Sequence, residues 1–139
     1  MRRSLLGRLI AFGLAACALA SCGLNVQAPD LFLLTRTGQG GTLTLEVNDS
    51  GTIRCNRGSA HQISSARLIT ARDLADNLAT DAQNNLHLSV RTGSIYSFRI
   101  RLQQGTITFS DRDTAGHPNL AQAALFATEA AQQVCGLAG

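Results

Sequence analysis

The densest polar cluster in the chain is Asp111-Arg112-Asp113, followed closely by His117. Two carboxylates and an imidazole are metal-ligand types, and a metal held there could polarise a water for hydrolysis. The ligand set is incomplete, however, and Asp, Thr, Gly, His and Pro are equally the residues of a strand-to-helix turn with its caps. The turn is the simpler reading, and no metal is assigned. His61 and His87 match no ligand spacing and read as surface or loop histidines. Ser59 and Ser94 each follow a glycine but lack the Gly-x-Ser-x-Gly frame that strains a nucleophilic serine into the open. Gly38-Gln39-Gly40-Gly41 lacks the helix that a phosphate-cradling loop needs. The Asn48-Asp49-Ser50 triplet fits a glycosylation pattern, yet its place before Gly51 makes it a hairpin turn. All twelve basic residues are arginine, which removes Schiff-base chemistry and a phosphate-loop lysine. The expectation is a non-catalytic protein with no cofactor.

The cysteines carry more information. Residues 1–21 read as an export signal: Arg2, Arg3 and Arg8 form a basic start, and Leu9 to Ala20 is an uncharged apolar run. That run is too short to span a bilayer, which needs about 20 apolar residues. It ends in Leu19-Ala20-Ser21-Cys22-Gly23, which is similar to the bacterial lipobox, in which cleavage falls just before a cysteine that then receives a diacylglyceryl group. The resemblance implies lipid attachment at Cys22 and anchoring at the outer face of the cell membrane. Arg2-Arg3-Ser4-Leu5-Leu6 also resembles a twin-arginine export signal. Cys17 falls in the discarded segment. Residues 22–29 then form a short tether, reaching on the order of 25 Å when extended, ahead of a domain at 30–139. Export leaves Cys55 and Cys135 as a pair in an oxidising compartment, where a structural disulfide is expected.

The charge balance changes with this division. The whole chain is formally +3 over 139 residues, which hints at nucleic acid or anionic lipid. Without Arg2, Arg3 and Arg8, nine arginines face nine acidic residues. A neutral domain with one tyrosine, four phenylalanines and no tryptophan has neither the field nor the stacking surface for nucleic acid.

The elements that position these residues follow from periodicity. Leu31 to Thr37 reads as a strand, and Thr42 to Val47 alternates with Leu43, Leu45 and Val47 on one face. Asn48 to Gly51 turns the chain into Thr52 to Cys55, completing an antiparallel meander. Ser64 is placed to cap a helix over about Ser65 to Ala79, with Leu68, Ala71, Leu74, Ala75 and Leu78 as its stripe. Ala82 to Asn85 reads as a loop, and Leu86 to Val90 as a short strand or extended connection. Tyr96, Phe98, Ile100 and Leu102 alternate with polar residues, and Gln104-Gly105 turns this strand into Thr106 to Ser110. Pro118 opens a last helix to about Cys135, with Leu120, Ala124, Ala127, Ala131 and Val134 on one face and Gly136 ending it. The expected fold is α+β: an antiparallel sheet of about five strands with two helices on one face, ordered strand-strand-strand-helix-strand-strand-helix. The other face would then carry Arg99 and Arg101, with Arg54 and Arg91 placed to lie near them. This is a candidate partner-binding surface for carboxylates, phosphates or an acidic protein, set against the plainer reading of a solvated face.

Two resemblances bear on function. The segment Val47-Asn48-Asp49-Ser50-Gly51-Thr52-Ile53-Arg54-Cys55-Asn56 and the ending Val134-Cys135-Gly136 resemble small, uncharacterised actinobacterial lipoproteins over nearly all of the chain after the signal. Exclusive use of arginine agrees with a GC-rich genome. That family implies the envelope address and no activity. The order of elements also resembles emfourin-type protease inhibitors, without any inhibitory motif matching residue by residue. The expectation is a lipid-anchored binding or envelope-interaction module, with inhibition of an extracellular or envelope protease as the alternative and a metal-dependent hydrolase behind both. Two or three acyl chains, at about 0.8 kcal/mol per buried methylene, would make the anchor nearly irreversible. Cys22→Ala is therefore expected to move the protein from the membrane fraction to the soluble fraction and abolish labelling by a palmitate analogue. Continued labelling of the variant would sink the assignment.

Overall fold

A computed structural model describes residues 30–137, so Cys22, the tether and the export signal lie outside the described residues. The chain runs through β1 (Asp30–Gly38), β2 (Gly41–Asn48), β3 (Thr52–Cys55), β4 (Ala60–Gln62), α1 (Ser65–Gln83), β5 (Tyr96–Arg101), β6 (Thr106–Ser110), a 3-10 turn (Asp111–Gly116) and α2 (Pro118–Gln133). All six strands belong to one antiparallel sheet, in the order β4-β3-β2-β1-β5-β6. The fold is α+β, with strands, a helix, strands and a helix in sequence.

Alternation decides which side is buried. Phe32 and Leu34, Leu43, Leu45 and Val47, Ile53, Phe98 and Ile100, and Ile107 and Phe109 all point to one face and lie in a single hydrophobic cluster. Both helices cover that face. Helix α1 supplies Ala71, Leu74, Leu78 and Ala82, and α2 supplies Leu120, Ala123, Phe126, Ala127, Ala130 and Ala131. Phe126 meets Phe32 edge to face at 5.6 Å between centroids, and Phe98 stacks on Phe109 at 4.9 Å. The helices run antiparallel: Arg67 bonds Gln133 at one end, and Asn119 donates to the Asn77 carbonyl at the other.

Several boundaries differ from the sequence expectation. Strand β4 was not expected. It has three residues, all exposed, without an apolar alternation to announce it, and it pairs Thr52 with Gln62 and Arg54 with Ala60 at the sheet edge. Helix α1 starts at the expected cap, where the Ser64 hydroxyl accepts from the Arg67 N–H, but runs through Gln83 rather than ending near Ala79. Ala82 continues the Leu74–Leu78 row and is fully buried, so the last turn has a core contact to hold it. Gly105 is the other half of that contact: a Cβ there would lie 2.1 Å from the Ala82 carbonyl oxygen. The β5–β6 hairpin can seat against the end of α1 only with glycine at this point. Helix α2 ends at Gln133 and buries Ala123, Phe126 and Ala130 beside the expected stripe, because it faces both the sheet and α1. Leu86 to Leu88 is the extended connection, exchanging hydrogen bonds with Thr108 as a parallel bridge at His87.

Cys55 and Cys135 form a disulfide, closing a loop across a sequence separation of 80. It ties β3 to the end of α2, so the last element cannot leave the sheet without bringing the meander with it. Loop-closure entropy of this length gives a gain of about 4–5 kcal/mol, with measured values often smaller. Reduction under native conditions is expected to lower the unfolding free energy by about 2–5 kcal/mol in urea titrations. An unchanged midpoint after complete reduction would contradict this bracing role.

Candidate functional site

The uncovered sheet face is built from the residues that alternate with the core. β1 contributes Leu33, Thr35 and Thr37, β2 Thr42, Thr44 and Glu46, β3 Arg54, β5 Ser97, Arg99 and Arg101, and β6 Thr106 and Thr108. The register arranges them in rows across the strands. Thr44, Thr35, Arg99 and Thr108 form one row, and Arg54, Glu46, Leu33, Arg101 and Thr106 form the next. Arg99 and Arg101 stand two residues apart on one face, about 7 Å along the strand. Both are exposed, and neither makes a hydrogen bond or ion pair with any described residue. A shallow groove of about 410 Å³ runs between them and Leu33, Thr35 and Thr106.

The four expected arginines are not one cluster. Arg54 lies in the Arg101 row, but three strands away, on the order of 14 Å. Glu46 sits between them next to Arg54. Arg91 lies on the connection between α1 and β5, where its Nε contacts Asp113 Oδ1 at 3.0 Å. Arg99 and Arg101 are therefore the adjacent pair of guanidinium groups on this face, with Arg54, also without a hydrogen bond or ion pair to a described residue, at its far side.

The Asp111–His117 segment is the capped turn between β6 and α2. Asp113 is 4% exposed, and its Oδ2 accepts from both the Ser110 N–H at 2.8 Å and the Ser110 hydroxyl at 2.7 Å. Its other oxygen takes Arg91. The Ser110 N–H above all holds the Asp113 carboxyl below the usual carboxylate range, against the desolvation of burial, with the Ser110 hydroxyl and the Arg91 and His117 charges adding to the depression. Asp111 Oδ2 accepts from the Ile95 N–H at 3.0 Å, which fastens the connection to the turn. His117 is exposed at the start of α2 and accepts from the Ala121 N–H through its backbone carbonyl. Both carboxylates thus serve the chain's own donors, and among the described residues no three metal-ligand side chains gather.

The remaining candidates are dispersed. His61 is on the edge strand β4 and His87 beside β6, both exposed. Ser59 is exposed in the turn after the disulfide-bearing strand. Ser94 Oγ is buried and bonds to no described histidine or carboxylate. Among the described residues no helix is long and apolar enough to cross a membrane. Sequence reasoning missed the pairing of Arg36 with Tyr96, whose ring centroid lies 4.7 Å from the guanidinium carbon, as it did the ion pair of Arg72 with Asp49 at 2.6 Å. Arg36 and Tyr96 are 60 positions apart and meet only through the β1–β5 register, so nothing local announces them. No family model, no curated protein and no solved structure matches the chain.

The Asp113 contacts generate a pH-dependent expectation. Because its folded carboxyl is held below the unfolded value of about 3.9, its contribution is present above that pH and is lost as pH falls through the folded value. Asp113→Ala is expected to cost about 1–3 kcal/mol at pH 7, since it leaves the buried Ser110 donors unsatisfied. In urea titrations the gap between variant and parent should narrow below pH ~4; a gap that widens on acidification would reject the charged-cap account.

Proposed function

We propose that the chain is a membrane-anchored bacterial lipoprotein that acts as a non-catalytic binding module, holding an acidic envelope partner on its open sheet face. The observation that carries this reading is the pair Arg99 and Arg101: two exposed guanidinium groups on one strand, without a partner among the described residues, bordered by threonine hydroxyls. Guanidinium groups present forked N–H donors that suit carboxylates, and hydroxyls add neutral donors around them. The Cys55–Cys135 disulfide fits an oxidising compartment outside the cytoplasm. The lipobox at Cys22 and the short tether would keep this face near the bilayer, which suits a partner fixed in the envelope.

A second reading, inhibition of an envelope protease, draws on the connection ahead of β5. It is held by the Leu88 N–H on Thr108, by Arg91 on Asp113 and by the Ile95 N–H on Asp111, and it exposes Val90 at 59%. A restrained segment with an exposed apolar side chain is the kind of substrate mimic a protease cleft accepts. Charge and loop variants separate the two readings.

The Arg99→Glu/Arg101→Glu double variant is expected to weaken binding of a polyglutamate probe by about tenfold or more. Parent binding should also fall with added salt, since exposed pairs contribute about 0.2–1 kcal/mol each and are screened. Near-ultraviolet circular dichroism would confirm that the fold persists. Undiminished binding by the double variant would overturn the sheet-face assignment. Inhibition of a protease lost in Val90→Asp and retained in the arginine double variant would favour the second reading instead.

A further inference from the structure

A second arginine site lies at the opposite end of β1 from the chain's entry, on the helix-covered side of the sheet but past the reach of the helices. Arg36 is paired across the sheet with Leu43 on β2 and Phe98 on β5, and it is only half-buried there. Its guanidinium lies over the Tyr96 ring at 4.7 Å. The seat for that ring is made by Gly38, the residue directly opposite Tyr96. A Cβ on Gly38 would fall 2.5 Å from the Tyr96 Cδ1 and 2.3 Å from the Ile95 carbonyl oxygen, so the ring can lie against β1 only where no side chain intervenes. Gly38 thus positions Tyr96, and Tyr96 positions Arg36.

The placed guanidinium has no acceptor among the described residues. Arg36 makes no hydrogen bond or ion pair with any described residue beyond its contact with the ring, although its planar group carries five N–H donors. In front of it is a cavity of about 450 Å³, bordered by Gln39, Thr42, Asn56 and Tyr96. That size suits a small molecule. Asn56 has its carbonyl oxygen engaged by the Thr44 N–H at 2.8 Å, so what it offers the cavity is its NH₂ group. The border thus offers one fixed cation and the Asn56 amide N–H groups beside the apolar Leu43 and Leu137, while the Thr42 hydroxyl is turned to Thr37 on the other face.

We infer that this cavity is a binding site for a small organic monocarboxylate, held in the fork of Arg36 above Tyr96. The guanidinium face is occupied by the ring and its edge is left for a planar, two-oxygen acceptor, which is the geometry a carboxylate supplies. One positive charge matches one negative charge, whereas a phosphate dianion would call for more. The site is separate from the Arg99 and Arg101 face, because Arg36 projects to the other side of β1 from Thr35, the Arg99 neighbour.

Tyr96 is the only tyrosine, and the chain has no tryptophan, so tyrosine fluorescence reports this site directly. Titration of the exported, disulfide-oxidised protein with N-acetylglycine is expected to give a saturable change in that fluorescence, and N-acetylglycinamide none. Arg36→Gln should weaken the response by about tenfold or more, and Arg36→Lys should fail to restore it, because an ammonium keeps the charge but loses the fork. Arg99→Glu/Arg101→Glu should leave it intact, so failure of the sheet-face reading and failure of this one are told apart. An equal response to the amide, tighter binding of inorganic phosphate than of N-acetylglycine, or full retention in Arg36→Gln would each overturn the proposal.

Discussion

Strand β1 is hydrogen-bonded on both sides, and its register is the constraint on which the rest of the domain depends. It joins the β2–β3–β4 meander to the β5–β6 hairpin, with Leu34 opposite both Leu45 and Ile100, and Thr35 opposite both Thr44 and Arg99. Because side chains alternate with period two, a slip of one residue would send Phe32 and Leu34 to water and Thr35 to the core. The penalty of exposing that many apolar groups pins the register firmly. The same register sets where every functional group emerges. Arg99 and Arg101 come out on the open face, while Arg36 comes out on the covered face where the cover has run out. The only irregularity in this pairing is the bulge between Asp30 and Phe32, at the end where the chain enters the sheet.

Burial on one face alone follows from composition. Two helices carry enough apolar surface to cover one side of a six-stranded sheet, and α2 does so with alanines that let it approach closely. The opposite face is left mainly to threonine and arginine, with Ser97, Glu46 and the half-buried Leu33 among them, residues that a half-wet β surface accommodates. The sheet edges are handled separately. On one side β4 is short, polar and fully exposed, a poor template for another strand. On the other, the Leu86–Leu88 connection takes up hydrogen bonds of β6 at Thr108. The disulfide acts across these layers by fixing β3 to the end of α2.

Much of this was legible in the sequence because the signals were periodic. The alternation from Tyr96 to Leu102, the Ser64 cap and Pro118 at the head of α2 all speak through neighbours in the chain, and the structure places them accordingly. Cysteine counting found the Cys55–Cys135 pair for a similar reason, since only two cysteines follow Cys22. The elements that sequence reasoning missed are those whose cause is distant. β4 exists only as a partner for β3, and the last turn of α1 is held by the hairpin at Gly105. Charge alone places Arg91 with the sheet arginines, whereas its partner Asp113 is set by the turn after β6. Arg36 and Tyr96 were unremarkable as letters, and it takes the β1–β5 register to bring them together.

The arginines of this neutral domain divide by environment rather than by number. Arg99 and Arg101 are exposed, so water and salt screen them and each contact they make is weak. Weak contacts suffice where the partner is held nearby, because a short tether converts binding into an encounter at high effective concentration. The proposed anchor at Cys22 and the proposed sheet-face function are thus mechanically linked: without confinement to the envelope, two screened guanidinium groups would hold little. Arg36 has the opposite physics. It is half-buried, its orientation is fixed by Tyr96 and ultimately by the missing side chain of Gly38, and less of its conformational entropy remains to be lost on binding. Such a group can retain a freely diffusing ligand that offers only one carboxylate. A zero net charge is compatible with both, since what matters for each is the local field and the local geometry, not the total.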